Sequence, residues 1–257
     1  MSRHSINTLI PVLLLALAAG GTDPLAAQET EPPSNGLART IPCTSFDDDS
    51  HYPLGYEQTL DLAIQAVYVG RGEPEKNTRK CFFRMAEGLA RHLVFENPND
   101  PEPRYWYAAA MGLRAAEEGG RTQVRLAQRA HEQARLTLTV APEHAGAQHV
   151  LGRLHVAVMH LSGFKRFIAT RILGGKALSE ASWENAESLL AAAARSKPEI
   201  PAHHYALGNL YLDTDRPEAA LEAFKRAVAC PPIHAADRKV LVSAGEMVER
   251  LLRELEV

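Results

Sequence analysis

Eleven histidines, three cysteines and a mixed set of arginines, tyrosines and acids are the side chains through which this 257-residue chain could do chemistry. The histidines do not assemble into a ligand set. His203 and His204 are adjacent and point to different sides of a helix, His155 and His160 are five apart and poorly aligned, and no Cys or carboxylate completes a four-ligand spacing. Asp47-Asp48-Asp49 with His51 lacks the glycine and distal glutamate of a helix-loop-helix calcium site and reads as a solvated acidic turn. A phosphate-binding glycine loop, a dinucleotide glycine fingerprint, a Gly-x-Ser-x-Gly elbow and a His-Glu-x-x-His pair are all missing. The expectation is therefore a protein without metal, cofactor or catalytic residues. A formal net charge of -3 also provides no cationic field for nonspecific nucleic-acid binding.

The cysteines depend on compartment. Arg3 and His4 precede an apolar stretch from Leu9 to Ala19, and Leu25-Ala26-Ala27 presents small residues ahead of Gln28, the order of a cleaved secretory signal. Residues 1–27 are thus expected to be a signal peptide, and the mature chain to be periplasmic or secreted. The stretch is too short for a membrane anchor, which needs about 20 apolar residues. Thiols of an exported protein tend to pair. Cys43 with Cys81 is the preferred pair, leaving Cys230 as a small core residue. Residues 28–53, with Pro32, Pro33, Gly36, Pro42 and Pro53, read as a linker or loosely docked arm.

Residues 54–257 must then position everything else, and their pattern is helical. Leu60, Ile64, Val67 and Tyr68 share one face at spacings of three and four, until Gly70, Gly72 and Pro74 stop the run. No stretch alternates with period two for long, so the fold class is all-α. Leu207-Gly208 with Tyr211, then Ala220, Phe224, Ala227 and Pro232, reproduces the tetratricopeptide pattern. Gly208 and Ala220 are small where two helices cross closely, and Pro232 ends the second helix. Leu151-Gly152 with His155, followed by Ala186, Leu190, Ala193 and Pro198, is a second copy whose halves stand 22 residues too far apart. Prolines give the same count: Pro198 to Pro232 is 34, Pro142 to Pro198 is 56 and Pro98 to Pro142 is 44. Insertions therefore fall at about Met159 to Glu180 and near Glu117 to Val124, and Ala86, Ala90, Leu93 and Pro98 close a degenerate first repeat. The expected architecture is an α-solenoid of three to four antiparallel hairpins. A final helix from about Ala235 to Leu255 caps it, because a stacked hairpin cannot leave its last apolar face in water.

A more particular resemblance lies in His149-Val150-Leu151-Gly152-Arg153, Leu161-Ser162-Gly163-Phe164-Lys165-Arg166 with Ala169 and Gly174, Trp183-Glu184-Asn185-Ala186, and His203-His204-Tyr205-Ala206-Leu207-Gly208. Over about residues 56–252 the chain resembles the regulator of microtubule dynamics family. The resemblance implies a helical-repeat adaptor and carries over no catalytic residues.

In stacked hairpins the first helices line a concave groove, and fixed offsets on their inner face reach a ligand. Here those offsets hold Tyr105, His149, Arg153, Tyr205, Asn209 and Lys239. The mixture suits an extended peptide: tyrosine offers rigid contact, asparagine pairs with amides, and arginine or lysine receives a carboxylate. In the longer insertion Phe164, Phe167, Ile168 and Ile172 share a face edged by Lys165, Arg166, Arg171 and Lys176. Such a run can lie on anionic lipid or dock a partner, although burial against neighbouring helices is preferred to membrane contact. The functional expectation is an exported, non-catalytic scaffold, monomeric or weakly self-associating, that binds a protein or peptide. The alternative is a peripheral membrane adaptor, or a hydrolase or small-molecule binder using a pocket beneath the insertion.

Overall fold

A computed structural model describes residues 43, 54–162 and 179–255. Nine α-helices occupy the described residues, without a strand: α1 (Tyr56–Gly72), α2 (Lys76–Glu96), α3 (Pro101–Glu117), α4 (Gly120–Val140), α5 (Ala145–Met159), α6 (Trp183–Ser196), α7 (Pro201–Asp213), α8 (Pro217–Ala229) and α9 (Ala235–Glu254). They form four antiparallel hairpins and a final helix. The all-α solenoid expected from the repeat is the architecture observed.

Local chemistry sets the boundaries. Pro98, Pro142, Pro198 and Pro232 each fall just beyond a second helix, where the missing N–H and restricted φ prevent continuation. Pro101, Pro201 and Pro217 occupy the first turn of α3, α7 and α8, where the absent donor costs nothing. Side chains cap other starts. Asp100 accepts from the Glu102 N–H at 3.0 Å, Ser182 Oγ from the Asn185 N–H at 3.1 Å, and Asp237 from the His234 N–H at 2.9 Å.

Glycine at the helix crossings decides how closely three of the four hairpins pack. A Cβ on Gly208 would come within 2.7 Å of the Phe224 ring, and one on Gly152 within 2.7 Å of Leu190 Cγ. Gly70 has the same role against Phe83 and lies inside α1 rather than stopping it, so the helix runs to Gly72. The shorter insertion differs from a looped one. The turn after α3 holds only residues 118 and 119, with Gly120 in the left-handed region at φ 60°, and the extra residues lengthen α3 and α4 to 17 and 21 residues against 13 each for α7 and α8. The longer insertion falls between Met159 and Trp183, as its spacing requires.

The core runs along the stack as successive clusters. Leu62, Met85, Leu89 and Met111 are fully buried in one cluster from α1 to α5, Leu190 and Leu210 in the next, and Phe224, Ala244 and Leu251 in the last. In that last cluster α9 covers α8, as expected of a cap. It also reaches past α8 and touches α1. Each first helix contacts the next (α1 with α3, α3 with α5, α5 with α7, α7 with α9), and α9 contacts α1, so five helices close a ring. The first helices, expected to line a groove, thus form a closed cycle of contacts with α9. The seam is polar and aromatic: the Tyr68 and His234 rings stack at 3.6 Å, and Lys239 Nζ donates to the Gly72 carbonyl at 3.1 Å. Lys239 there meets the negative end of α1, a favourable place for a cation.

Candidate functional site: the interior of the helical ring

The inner wall is built from consecutive turns of the first helices. His149 and Arg153 are four residues apart on α5 and so share a face. His149 Nδ1 lies 3.1 Å from His203 Nδ1 on α7, which requires one neutral ring to donate to the other. Burial holds His149 well below the ordinary histidine value, and the neighbouring His203, Arg153 and Arg71 lower it further. Burial likewise brings His203 down to about 4. Both rings are therefore uncharged at neutral pH.

Arg153, His149 and Tyr105 are each half-buried, so part of each side chain stays open to water. Desolvation lowers the Arg153 guanidinium to about 10, with Arg71 adding repulsion while Tyr205 and Asp213 oppose it. Tyr105 packs over Gly146, beside Trp106 and His144 with ring centroids 4.7 Å away in each case. Burial raises its phenol pKa, so it stays protonated.

The remaining expected residues take other positions. Tyr205 is mostly buried against Phe224 of the outer helix α8, with centroids 5.6 Å apart. Asn209 Nδ2 donates to the Tyr205 carbonyl at 2.9 Å, leaving its Oδ1 for other donors. Lys239 is exposed and engaged at the α9–α1 seam rather than in the wall. Phe164, Lys165, Arg166, Phe167 and Arg171 lie outside the described residues. Cys43 is disulfide-bonded to Cys81 of α2, and Cys230 is a buried free thiol. Among the described residues no His, Cys, Asp and Glu side chains cluster as metal ligands, and no helix is long and apolar enough to cross a membrane.

Two further residues were not among the expected site residues. Tyr68 and Arg71, three apart in the last turns of α1, face the ring, with the Arg71 guanidinium 5.9 Å from the Tyr68 ring centroid. The Tyr68 phenol is raised to about 12 by burial, against the pull of Arg71. The glycines on either side of Arg71 read as an ending, although α1 passes through Gly70 and stops at Gly72. Only the repeat offset, extended back into the degenerate first hairpin, could have pointed there.

Outside the ring, a pocket of about 290 Å³ is lined by His131, Arg135, Thr139, His155 and Glu180 with Leu138, Leu151 and Leu189. The His131 and His155 rings lie 6.0 Å apart and nearly parallel. Burial lowers both, His131 to about 4, so this pair is also neutral. Among the described residues, Glu180 is the single carboxylate in the lining.

Residues 49–253 match the sequence pattern of the family described as Regulator of microtubule dynamics protein 1-3. The chain belongs to this family. No curated protein matches it. Among solved structures, the crystal structure of a thermophilic TPR protein in Thermus thermophilus aligns at 24% identity over 77% of this chain and 91% of that one, with a TM-score of 0.48. Membership covers all nine described helices up to residue 253 of α9, so the hairpins that form the ring belong to the family's own domain.

Proposed function

We propose that the protein is an exported, non-catalytic scaffold that holds a segment of a protein or peptide in the interior of its helical ring. The observation that carries this reading is the cycle of contacts among the first helices and α9, with Tyr105, His149 and Arg153 half-buried on α3 and α5. A preformed wall of helices needs little ordering on binding, which favours affinity. Closure of the ring by α9 selects a slender ligand over a folded domain.

Export is supported by the apolar leader and by the Cys43–Cys81 disulfide, which an oxidising compartment would preserve. The family description refers to microtubule dynamics, whereas an exported chain would not meet cytosolic microtubules, so that partner is not carried over. The chain acts as a monomer or weak oligomer. The outer pocket gives little support to a hydrolase, because Glu180 has no second carboxylate facing it among the described lining residues. Affinity capture from the native envelope tests the reading. A partner retained by the wild type and lost by Arg153→Ala with Asn209→Ala, at unchanged melting temperature, is the expected result. Equal retention by both would retire the interior as the site.

A further inference from the structure

The pocket outside the ring is built from three helices. His131, Arg135, Leu138 and Thr139 stand on one face of α4, Leu151 and His155 four residues apart on α5, Leu189 on α6, and Glu180 just ahead of α6. Leu151 and His155 are two residues from His149 and Arg153, which puts them on the opposite face of α5 from the ring. Burial sorts the lining by character. His131, His155 and Leu151 are buried, Leu138 and Leu189 half-buried, and Arg135, Thr139 and Glu180 exposed. Imidazoles and leucines thus form the base, and the two charges stand at the mouth.

Two observations point to a ligand. His155 Nδ1 is buried without a hydrogen-bond partner among the described residues, which is uncommon in a finished core. At the mouth, neither the Arg135 guanidinium nor the Glu180 carboxylate forms an ion pair or hydrogen bond with a described residue, although both line one pocket. Arginines elsewhere in the stack do find carboxylates: Arg79 pairs with Glu117, Arg114 with Glu87, and Arg216 with Glu187.

Size and charge narrow what the ligand is. A volume of about 290 Å³ is at the small end of ligand sites, so it suits one small molecule and not a length of chain. A simple anion drawn to Arg135 would meet Glu180, and a simple cation drawn to Glu180 would meet Arg135. A zwitterion satisfies both. Three leucines call for an alkyl group beside those charges, and each neutral imidazole can donate from one ring nitrogen and accept at the other.

We propose that this pocket binds a free aliphatic α-amino acid, its carboxylate on Arg135 and the Thr139 hydroxyl, its ammonium on Glu180, and its side chain against Leu138, Leu151 and Leu189. Guanidinium is suited to the first of these, since its fork donates two parallel hydrogen bonds to one carboxylate. The site is separate from the ring interior and does not depend on the peptide-holding reading.

Isothermal titration calorimetry of the full chain with L-leucine, L-leucinamide and isocaproate tests it. L-Leucine should bind. The amide, which lacks the carboxylate, and isocaproate, which lacks the ammonium, should each bind at least about tenfold more weakly. Arg135→Met should erase the discrimination against the amide and Glu180→Gln that against isocaproate, both at unchanged melting temperature because the two side chains are exposed. The comparison of ligands on the wild type needs no variant to fold. Equal binding of all three, or no heat from L-leucine at millimolar concentration, would overturn the inference. Isocaproate binding more tightly than L-leucine would make the pocket a site for simple anions and overturn it too. Discrimination kept by both variants would place the ligand elsewhere, with the same consequence.

Discussion

Single residues set the closest approaches in this fold and much of its acid sensitivity. Adding a methyl at Gly208 drives it into the Phe224 ring, so Gly208→Ala should cost about 1–3 kcal/mol of overpacking, partly offset by about 1 kcal/mol of helix propensity. Gly245→Ala, where a Cβ meets nothing within 4 Å, should show the propensity gain alone. Chemical denaturation of the two variants measures the contrast, and a stabilising Gly208→Ala would contradict the packing described. His131 and His203 titrate at about 4 when folded, against an ordinary 6.5. Between those values the unfolded chain holds more protons, so their stabilisation is complete above about pH 6.5 and drains away as pH falls toward 4. At about 1.4 kcal/mol per pH unit, each contributes up to roughly 3 kcal/mol. His203→Gln should flatten the decline in melting temperature between pH 6.5 and 4, and an unchanged slope would count against neutral burial. Types and spacings pointed to Tyr105 on α3 and to His149 and Arg153, one turn apart on α5. They did not reveal Arg71, whose flanking glycines resemble a helix end although one of them is a packing contact.

Among the elements, α2 and α9 do more than their patterns suggest. The Cys43–Cys81 disulfide ties residue 43 to α2 across a separation of 38, and Cys43 also packs against the first core cluster. The chain-entropy model gives about 4 kcal/mol for a loop of that length. Cys81→Ser should lower stability by about 2–4 kcal/mol under oxidising conditions, and Cys43→Ser combined with it should lower it little further. A double variant markedly worse than either single one would show that the sulfurs contribute separately. Helix boundaries were legible because prolines and caps act within a few residues. The shorter insertion was legible in length but not in form: the added residues have good helical propensity, so they lengthen α3 and α4 and leave a two-residue turn. The amphipathic pattern of α9 showed that it covers α8. That pattern cannot encode which distant helix its polar side meets, since Lys239 and Gly72 stand 167 residues apart.

For the molecule as a whole, closure is the consequential feature. Four hairpins turn far enough for a ninth helix to reach the first, converting a row of first helices into a ring. Neither the period nor the apolar pattern sets the turn per repeat, which follows from how bulky side chains fit between neighbouring hairpins. The function proposed depends on that interior, and the place where a bound partner touches the protein tests it directly. A photoreactive benzoyl-phenylalanine at Tyr105, half-buried on α3, should cross-link the partner retained by the wild-type protein. The same group at Phe95, 86% exposed on α2, should not. Cross-links from Phe95 with none from Tyr105 would contradict the account.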